Sequence, residues 1–156
     1  MWARYAGPMA IATGALAPPV DGIPSDGPRA LVFFKVTCST THLATPAIER
    51  FALAYPGIVF GVGQDDRAAL DSFAETFGLS MPLVSDPAPY VASDAYGIQS
   101  APTAVAIGAD GGVLDVAESW DREAWNRLSA ALAAAACAPA AVVSEPGDGL
   151  PAFKPG

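Results

Sequence analysis

One cysteine of this chain lies where a buried strand is expected to meet a helix, a place that favours a reactive sulfur. Cys38 follows the apolar run 30–36 and precedes a stretch with helical periodicity. A sulfur at such a junction faces unpaired backbone N–H groups and the positive end of the helix dipole, and both stabilise the thiolate. We therefore predict that Cys38 is a nucleophile. Thr41, three residues on, either stabilises the thiolate with its hydroxyl or is a plain helix-surface residue.

Two other residues are candidates to complete the chemistry of Cys38. His42 is the only histidine and lies one helical turn after Cys38, so the pair could hold a soft metal ion such as Cu(I). The sequence offers no evident third ligand, so we expect no cofactor and prefer a His42 that adds positive potential near the thiolate. Cys137, the only other cysteine, is a candidate resolving thiol or simply a small residue at a helix end.

Composition narrows the class of protein. The chain has 156 residues, which suits one domain with a real core, and 52% of them are hydrophobic. Its formal net charge of −8 and its 8 Lys and Arg residues argue against nucleic acid or an anionic membrane as the main partner. Two cysteines are too few for a disulfide scaffold, and no apolar run approaches the ~20 residues that span a bilayer.

The first residues bear on the location of the protein. Residues 1–17 loosely resemble a signal peptide that ends in an A-x-A motif, but Gly7, Pro8 and Gly14 interrupt the apolar segment. We therefore expect a mature, folded segment and a cytoplasmic protein, with export as the alternative.

Hydrophobic periodicity predicts the elements that position Cys38. They are strands at 30–36, 58–62, 82–84, 103–107 and 113–118 and helices at 41–55, 70–77, 90–96 and from 119 or 121 to 136. This order predicts an α/β fold, a central mixed sheet with helices on both faces, built from parallel crossovers and one antiparallel hairpin. We divide the chain into an N-terminal extension and loop (1–29), a domain (30–136) and a flexible tail rich in Pro, Ala and Gly (137–156).

Six short motifs, in order, resemble the thioredoxin superfamily. They are 14–18 (GALAP), Cys38, Pro46, 77–86 (FGLSMPLVSD), 96–103 (YGIQSAPT) and 109–111 (ADG). The resemblance is greatest to the TlpA-like and redoxin (alkyl hydroperoxide reductase/thiol-specific antioxidant) branch and covers about residues 14–135. It implies a thioredoxin-like fold and a cis Pro102, with Ala101, Pro102 and Thr37 facing the substrate beside the sulfur.

The chain departs from that family at two places. The second cysteine of the C-x-x-C motif is replaced by Thr41, so an internal C-x-x-C disulfide cannot form. The P-x-x-x-T-x-x-C signature of peroxiredoxins is also absent, because Lys35 occupies the threonine position. A mixed disulfide on Cys38 would then be resolved by a partner protein, a thiol such as glutathione, or a distant cysteine.

These observations lead to two hypotheses. The first is a monothiol thioredoxin-like oxidoreductase that acts on protein or small-molecule disulfides, with peroxide as a further oxidant and an antioxidant role. The second is a thioredoxin-fold module without catalysis that binds a partner, or copper through Cys38 and His42.

Overall fold

Five strands form a mixed sheet at the centre of the computed structural model, which describes residues 10–156. They are β1 (Arg29–Phe34), β2 (Val59–Gly63), β3 (Leu83–Ser85), β4 (Thr103–Ile107) and β5 (Val113–Glu118). The spatial order is β3-β2-β1-β4-β5. β2 is parallel to β1 and β3, whereas β4 is antiparallel to β1 and β5. β1 is therefore central, and its carboxyl end leads directly to Cys38.

Four helices cover the sheet. They are α1 (Ser39–Ala54), α2 (Arg67–Phe77), α3 (Val91–Ala95) and α4 (Arg122–Ala136). Successive side chains of β1 point to opposite faces of the sheet and contribute to two cores. Val32 and Phe34 face the cluster that contains residues of α1, α2 and α4. Phe33 packs with Tyr96 near α3 on the other side. The predicted α/β fold, a mixed sheet flanked by helices, is confirmed.

The helix boundaries follow from local chemistry. Asp66 and Asp121 cap α2 and α4, each accepting a hydrogen bond from a backbone N–H in the first turn. Gly78 ends α2 in the left-handed conformation (φ 68°), which a residue without Cβ adopts at no steric cost. Pro46 lies inside α1.

Among residues 10–156 no helix is both long and apolar enough to cross a membrane. The signal-like segment lies partly at 1–9, outside the described residues.

The segment 137–156 is folded onto the domain, which corrects the expectation of a flexible tail. Its short strand β7 (Phe153–Lys154) pairs antiparallel with β6 (Trp120–Asp121). The Asn126 side chain accepts from the Val143 N–H at 2.8 Å and donates to the Ser144 carbonyl at 2.8 Å. The segment is irregular and held by side chains of other elements, so its own sequence carries no period.

Trp120 lies in β6, is fully buried, and donates its indole N–H to the Pro151 carbonyl at 2.8 Å. Trp125 lies in α4 and contacts Trp120, with ring centroids 5.8 Å apart. The domain boundary at 136 itself stays a prediction.

Candidate active site

The loop between β1 and α1 fixes the position of Cys38. The Val36 N–H donates to a carboxylate oxygen of Asp65 at 2.8 Å, and the Cys38 N–H donates to the Lys35 carbonyl at 3.1 Å. Cys38 itself is the N-cap residue of α1, with extended backbone (φ −80°, ψ 121°) and a partly exposed side chain. The sulfur therefore lies at the amino end of a 16-residue helix, as the sequence predicted.

The sulfur also contacts the loop before β4. Cys38 Sγ donates to the Ala101 carbonyl at 3.3 Å, and the peptide bond between Ala101 and Pro102 is cis. Thr37 is exposed beside Cys38. A cavity of about 230 Å³ opens next to the sulfur and is lined by Lys35, Cys38, Gln64, Ile98, Gln99, Ser100, Ala101 and Gly156. The structure thus brings Cys38 together with the Ala101–Pro102 loop and gives it access from one side.

Opposing effects act on the thiol, and the net result lowers the pKa of Cys38 below its ordinary value. Burial of the sulfur acts to raise the pKa, because it penalises the charged form. The backbone N–H and hydroxyl of Thr41, followed by those of Thr40, favour the charged form and lower the pKa by more. The thiolate is therefore favoured by the first turn of α1, as expected for a nucleophile at a helix N-terminus.

Thr41 has the orientation that a thiolate donor needs. Its side chain is 1% exposed, and its Oγ1 is the buried side-chain oxygen without a regular hydrogen-bond partner among the described residues. While Cys38 is a thiol that donates to Ala101, the Thr41 hydroxyl has no acceptor of good geometry. Ionisation of Cys38 would supply that acceptor, and the cost of an unsatisfied buried hydroxyl would be relieved.

His42 does not share a cavity with Cys38. Its ring packs against Phe73 and Phe77, with centroids 5.5 and 4.9 Å away, and its Nε2 hydrogen-bonds to the Val36 carbonyl. His42 lines a separate cavity of about 310 Å³ with these aromatic rings. Within residues 10–156 no group of three or more His, Cys, Asp or Glu side chains is arranged to hold a metal. The alternative Cys38–His42 metal pair therefore has no third ligand of these types among the described residues.

Cys137 lies far from Cys38. β5 runs parallel to β1, since both are antiparallel to β4, so α4 starts at the Cys38 edge of the sheet and leads away from it. Its 15 residues span roughly 20 Å at 1.5 Å per residue. Cys137 caps the far end of α4, exposed and free. The structure does not bring the two thiols together, and an internal disulfide would require α4 to move.

Sequence reasoning missed three residues of this site. Asp65 lies just before α2 but holds the Cys38 loop, whereas Asp66 is the cap of that helix. Its position directly after β2 was a usable signal, because the carboxyl ends of parallel strands meet at one edge. Thr40 and Gly156 gave no signal of their own, since their roles depend on how residues 151–156 return to the site.

Comparisons with known proteins bear on the fold. No protein-family model matches the sequence, and no curated protein matches it. Among solved structures, the thiol:disulfide interchange protein DsbE from Chlorobium tepidum is 18% identical and has a TM-score of 0.69, covering 81% of this chain and 99% of its own. The chain has the thioredoxin fold. The thioredoxin-like fold that the resemblance implied is thereby confirmed.

Two further thioredoxin-fold structures are from Mycobacterium tuberculosis. A secreted disulfide oxidoreductase, homologous to DsbE of E. coli, is 23% identical with a TM-score of 0.60, covering 79% of this chain and 95% of its own. DsbF is 21% identical with a TM-score of 0.59, covering 68% of this chain and 81% of its own. Each match spans most of the solved protein, so the thioredoxin fold of this chain is complete over its core.

Proposed function

We propose that this protein is a monothiol thiol-disulfide oxidoreductase whose nucleophile is Cys38. The observation that carries the proposal is the partly exposed Cys38 sulfur, at the N-terminus of α1 and 3.3 Å from the Ala101 carbonyl. The similar structures support it, because their names describe disulfide oxidoreductases and thiol:disulfide interchange proteins. In this proposal Thr41 stabilises the thiolate, and Thr37, Ala101 and Pro102 face the substrate.

The reaction is a thiol-disulfide exchange. The Cys38 thiolate attacks one sulfur of a disulfide, a new S–S bond forms, and the other sulfur leaves with the electron pair of the broken bond. Thr41 cannot attack the mixed disulfide in turn, because it has no thiol, and Cys137 lies at the far end of α4. A second thiol, from a protein or from a small molecule such as glutathione, then releases Cys38 as a thiolate. The substrates are disulfide-containing proteins or low-molecular-weight disulfides.

We also propose that the protein acts outside the cytoplasm, in place of the cytoplasmic location expected from sequence. The similar disulfide oxidoreductase of Mycobacterium tuberculosis is a secreted protein. Substrate disulfides persist in oxidising compartments and are rare in the cytosol, so a single thiol that acts on them fits such a compartment.

The copper-binding alternative is weaker, because the His42 ring is packed between Phe73 and Phe77 and not beside Cys38. Peroxide remains a second class of oxidant for the same thiolate. It would transfer one oxygen atom to sulfur, giving a sulfenic acid and releasing water.

Alkylation across pH tests the proposal. Iodoacetamide would be reacted with the native Cys137→Ser variant, so that Cys38 is the only thiol, and Cys38→Ser would serve as the blank. We expect the rate to follow a pKa below the free-cysteine value, and intact mass after treatment with glutathione disulfide to show one adduct. A pKa at or above about 8.5, or an inert thiol, would contradict the nucleophile.

A further inference from the structure

The last residues of the chain return to the Cys38 site. We name residues 151–156 the C-terminal strap. Beyond the β6–β7 pairing, Thr40 donates its hydroxyl to the Pro155 carbonyl at 2.6 Å, and the Gly156 N–H donates to the Ser119 hydroxyl at 3.1 Å. The Lys154 ammonium donates to the Ser39 hydroxyl at 3.2 Å. Three hydrogen bonds therefore fix the end of the strap to the start of α1 and to the residue before β6.

Gly156 packs backbone against backbone on Ala101. A Cβ at position 156 would lie 1.9 Å from the Ala101 carbonyl oxygen and 2.7 Å from its carbonyl carbon, so no side chain fits there. The same oxygen accepts the hydrogen bond from Cys38 Sγ. Gly156 also lines the cavity beside the sulfur. The strap thus occupies one flank of the Ala101 peptide, directly next to the proposed nucleophile.

This position limits the disulfides that can approach. A disulfide attacked by Cys38 must bring one sulfur to Sγ through the cavity of about 230 Å³. A small disulfide has few other atoms that the site must accommodate. A polypeptide disulfide must also run its chain past Ala101 in both directions, and one of those directions is filled by Gly156.

We propose that the C-terminal strap determines the substrate size of the Cys38 site, admitting small disulfides when seated and polypeptide disulfides only when lifted. This inference rests on the proposed function and adds the substrate class to it. The occupant of the Ala101 flank is then either the strap or a substrate chain, never both. Because a polypeptide must first displace the strap, its rate is reduced to the fraction of molecules in which the strap is lifted.

Thr40 links the strap to the thiolate. A hydroxyl carries a single proton, and in the structure Thr40 gives it to the Pro155 carbonyl. When the strap lifts, that proton is free for the Cys38 thiolate in the same turn of α1. Displacement of the strap by a polypeptide therefore leaves the Thr40 hydroxyl without its Pro155 acceptor.

A chain that ends at Phe153 tests this inference, because it removes the three strap hydrogen bonds but keeps the Trp120–Pro151 contact. Formation of the mixed disulfide on Cys38 would be timed in the Cys137→Ser background with two probes. One is 2,2′-dithiodipyridine, and the other is a peptide that carries a central cysteine as its thiopyridyl disulfide. Arg67→Gln is the control, since it removes one positive charge from an exposed side chain of α2, outside the strap.

We expect truncation to raise the peptide rate by about tenfold or more and the dithiodipyridine rate by less than about threefold, whereas Arg67→Gln changes neither selectively. Gly156→Ala should reproduce the effect without any deletion, since its methyl collides with Ala101, and Ala152→Ser is its control on an exposed side chain. If the parent, the truncated chain and Gly156→Ala showed the same ratio of the two probe rates, the proposed role of the strap in substrate size would be overturned. A Cys38 that reacts with neither probe in any variant would instead overturn the proposed function, and the inference with it.

Discussion

At the scale of single residues, the site depends on donors in one turn of helix. Burial would keep Cys38 a thiol, but the backbone N–H and hydroxyl groups of Thr41 and Thr40 favour its ionised form, and the net effect lowers the pKa of Cys38. Of the two hydroxyls, that of Thr40 donates to the strap, whereas that of Thr41 is buried with no regular partner. The hydroxyl of Thr41 therefore depends more than that of Thr40 on ionisation of Cys38 for a hydrogen-bond acceptor.

Replacing Thr41 with Val tests this role. The change keeps the shape and β-branching but removes the hydroxyl, so we expect the pKa of Cys38 to rise and its alkylation at neutral pH to slow severalfold. Thr45→Val is the matched control, because Thr45 is also buried in α1 but donates to the His42 carbonyl. The rate of iodoacetamide alkylation against pH measures both variants. Equal profiles for the two would show that the Thr41 hydroxyl does not stabilise the thiolate.

The sequence predicted the position of Cys38 in the fold better than the direction of the side chains around it. A strand that runs into a helix places Cys38 at a helix N-terminus whatever the rest of the chain does. His42 at i+4 was expected to stay near Cys38, but its ring is drawn to Phe73 and Phe77, which come from another helix. Contacts between distant segments decide side-chain direction, and the local pattern does not contain them.

At the scale of elements, the regular strands and helices were predicted from local patterns. The packing of segment 137–156 was not, because it depends on contacts with distant segments. The core strands and helices were predicted because apolar residues in the sequence follow the geometry of these elements, with a period of two residues in strands and 3.6 residues in helices. The segment 137–156 has no period, because it is held by hydrogen bonds from Asn126, Trp120 and Arg122. Its order is a property of its partners.

Asp148 holds the C-terminal segment in place by electrostatic interactions. Its carboxylate accepts from the Ser144 hydroxyl at 2.7 Å and the Leu150 N–H at 2.9 Å, and it pairs with Arg50 at 3.2 Å and Arg122 at 3.5 Å. The Ser144 hydrogen bond is the largest of the causes that lower the pKa of Asp148 to about 2. Because the folded pKa lies below the unfolded value of about 3.9, this stabilisation is full above about pH 4.

We therefore expect Asp148→Asn to lower the urea midpoint of unfolding at pH 6. Its difference from the parent should shrink as the pH falls from about 4 towards 2, where the parent carboxylate becomes protonated. Asp71→Asn is the control, since Asp71 forms an exposed ion pair with Arg67 one turn away in α2. A midpoint difference that is constant with pH, or no larger than that of the control, would contradict the role of Asp148.

At the scale of the whole molecule, the thioredoxin fold is present and position 41, three residues after Cys38, carries a threonine. The central β1, the helix that follows it and the Ala101–Pro102 loop stand in the arrangement expected of the thioredoxin fold. The Thr41 side chain is close enough to the Cys38 sulfur to affect its pKa. In the proposed function, a cysteine at position 41 would therefore lie within reach of Cys38.

Restoring that thiol is the most direct test of this view. We expect Thr41→Cys, in the Cys137→Ser background, to form an intramolecular disulfide under mild oxidation, because residues three apart across the start of a helix meet the Cα separation of about 4.4–6.8 Å that a disulfide needs. The oxidised variant should lose both free thiols by intact mass after alkylation, and the reduced variant should accelerate insulin reduction by dithiothreitol over the parent. Thr45→Cys is the control, since position 45 lies a further turn from Cys38. Two free thiols in Thr41→Cys after oxidation would mean that the backbone at residues 38–41 is not arranged for thiol-disulfide exchange, and the assignment of the site would fail even though the fold stands.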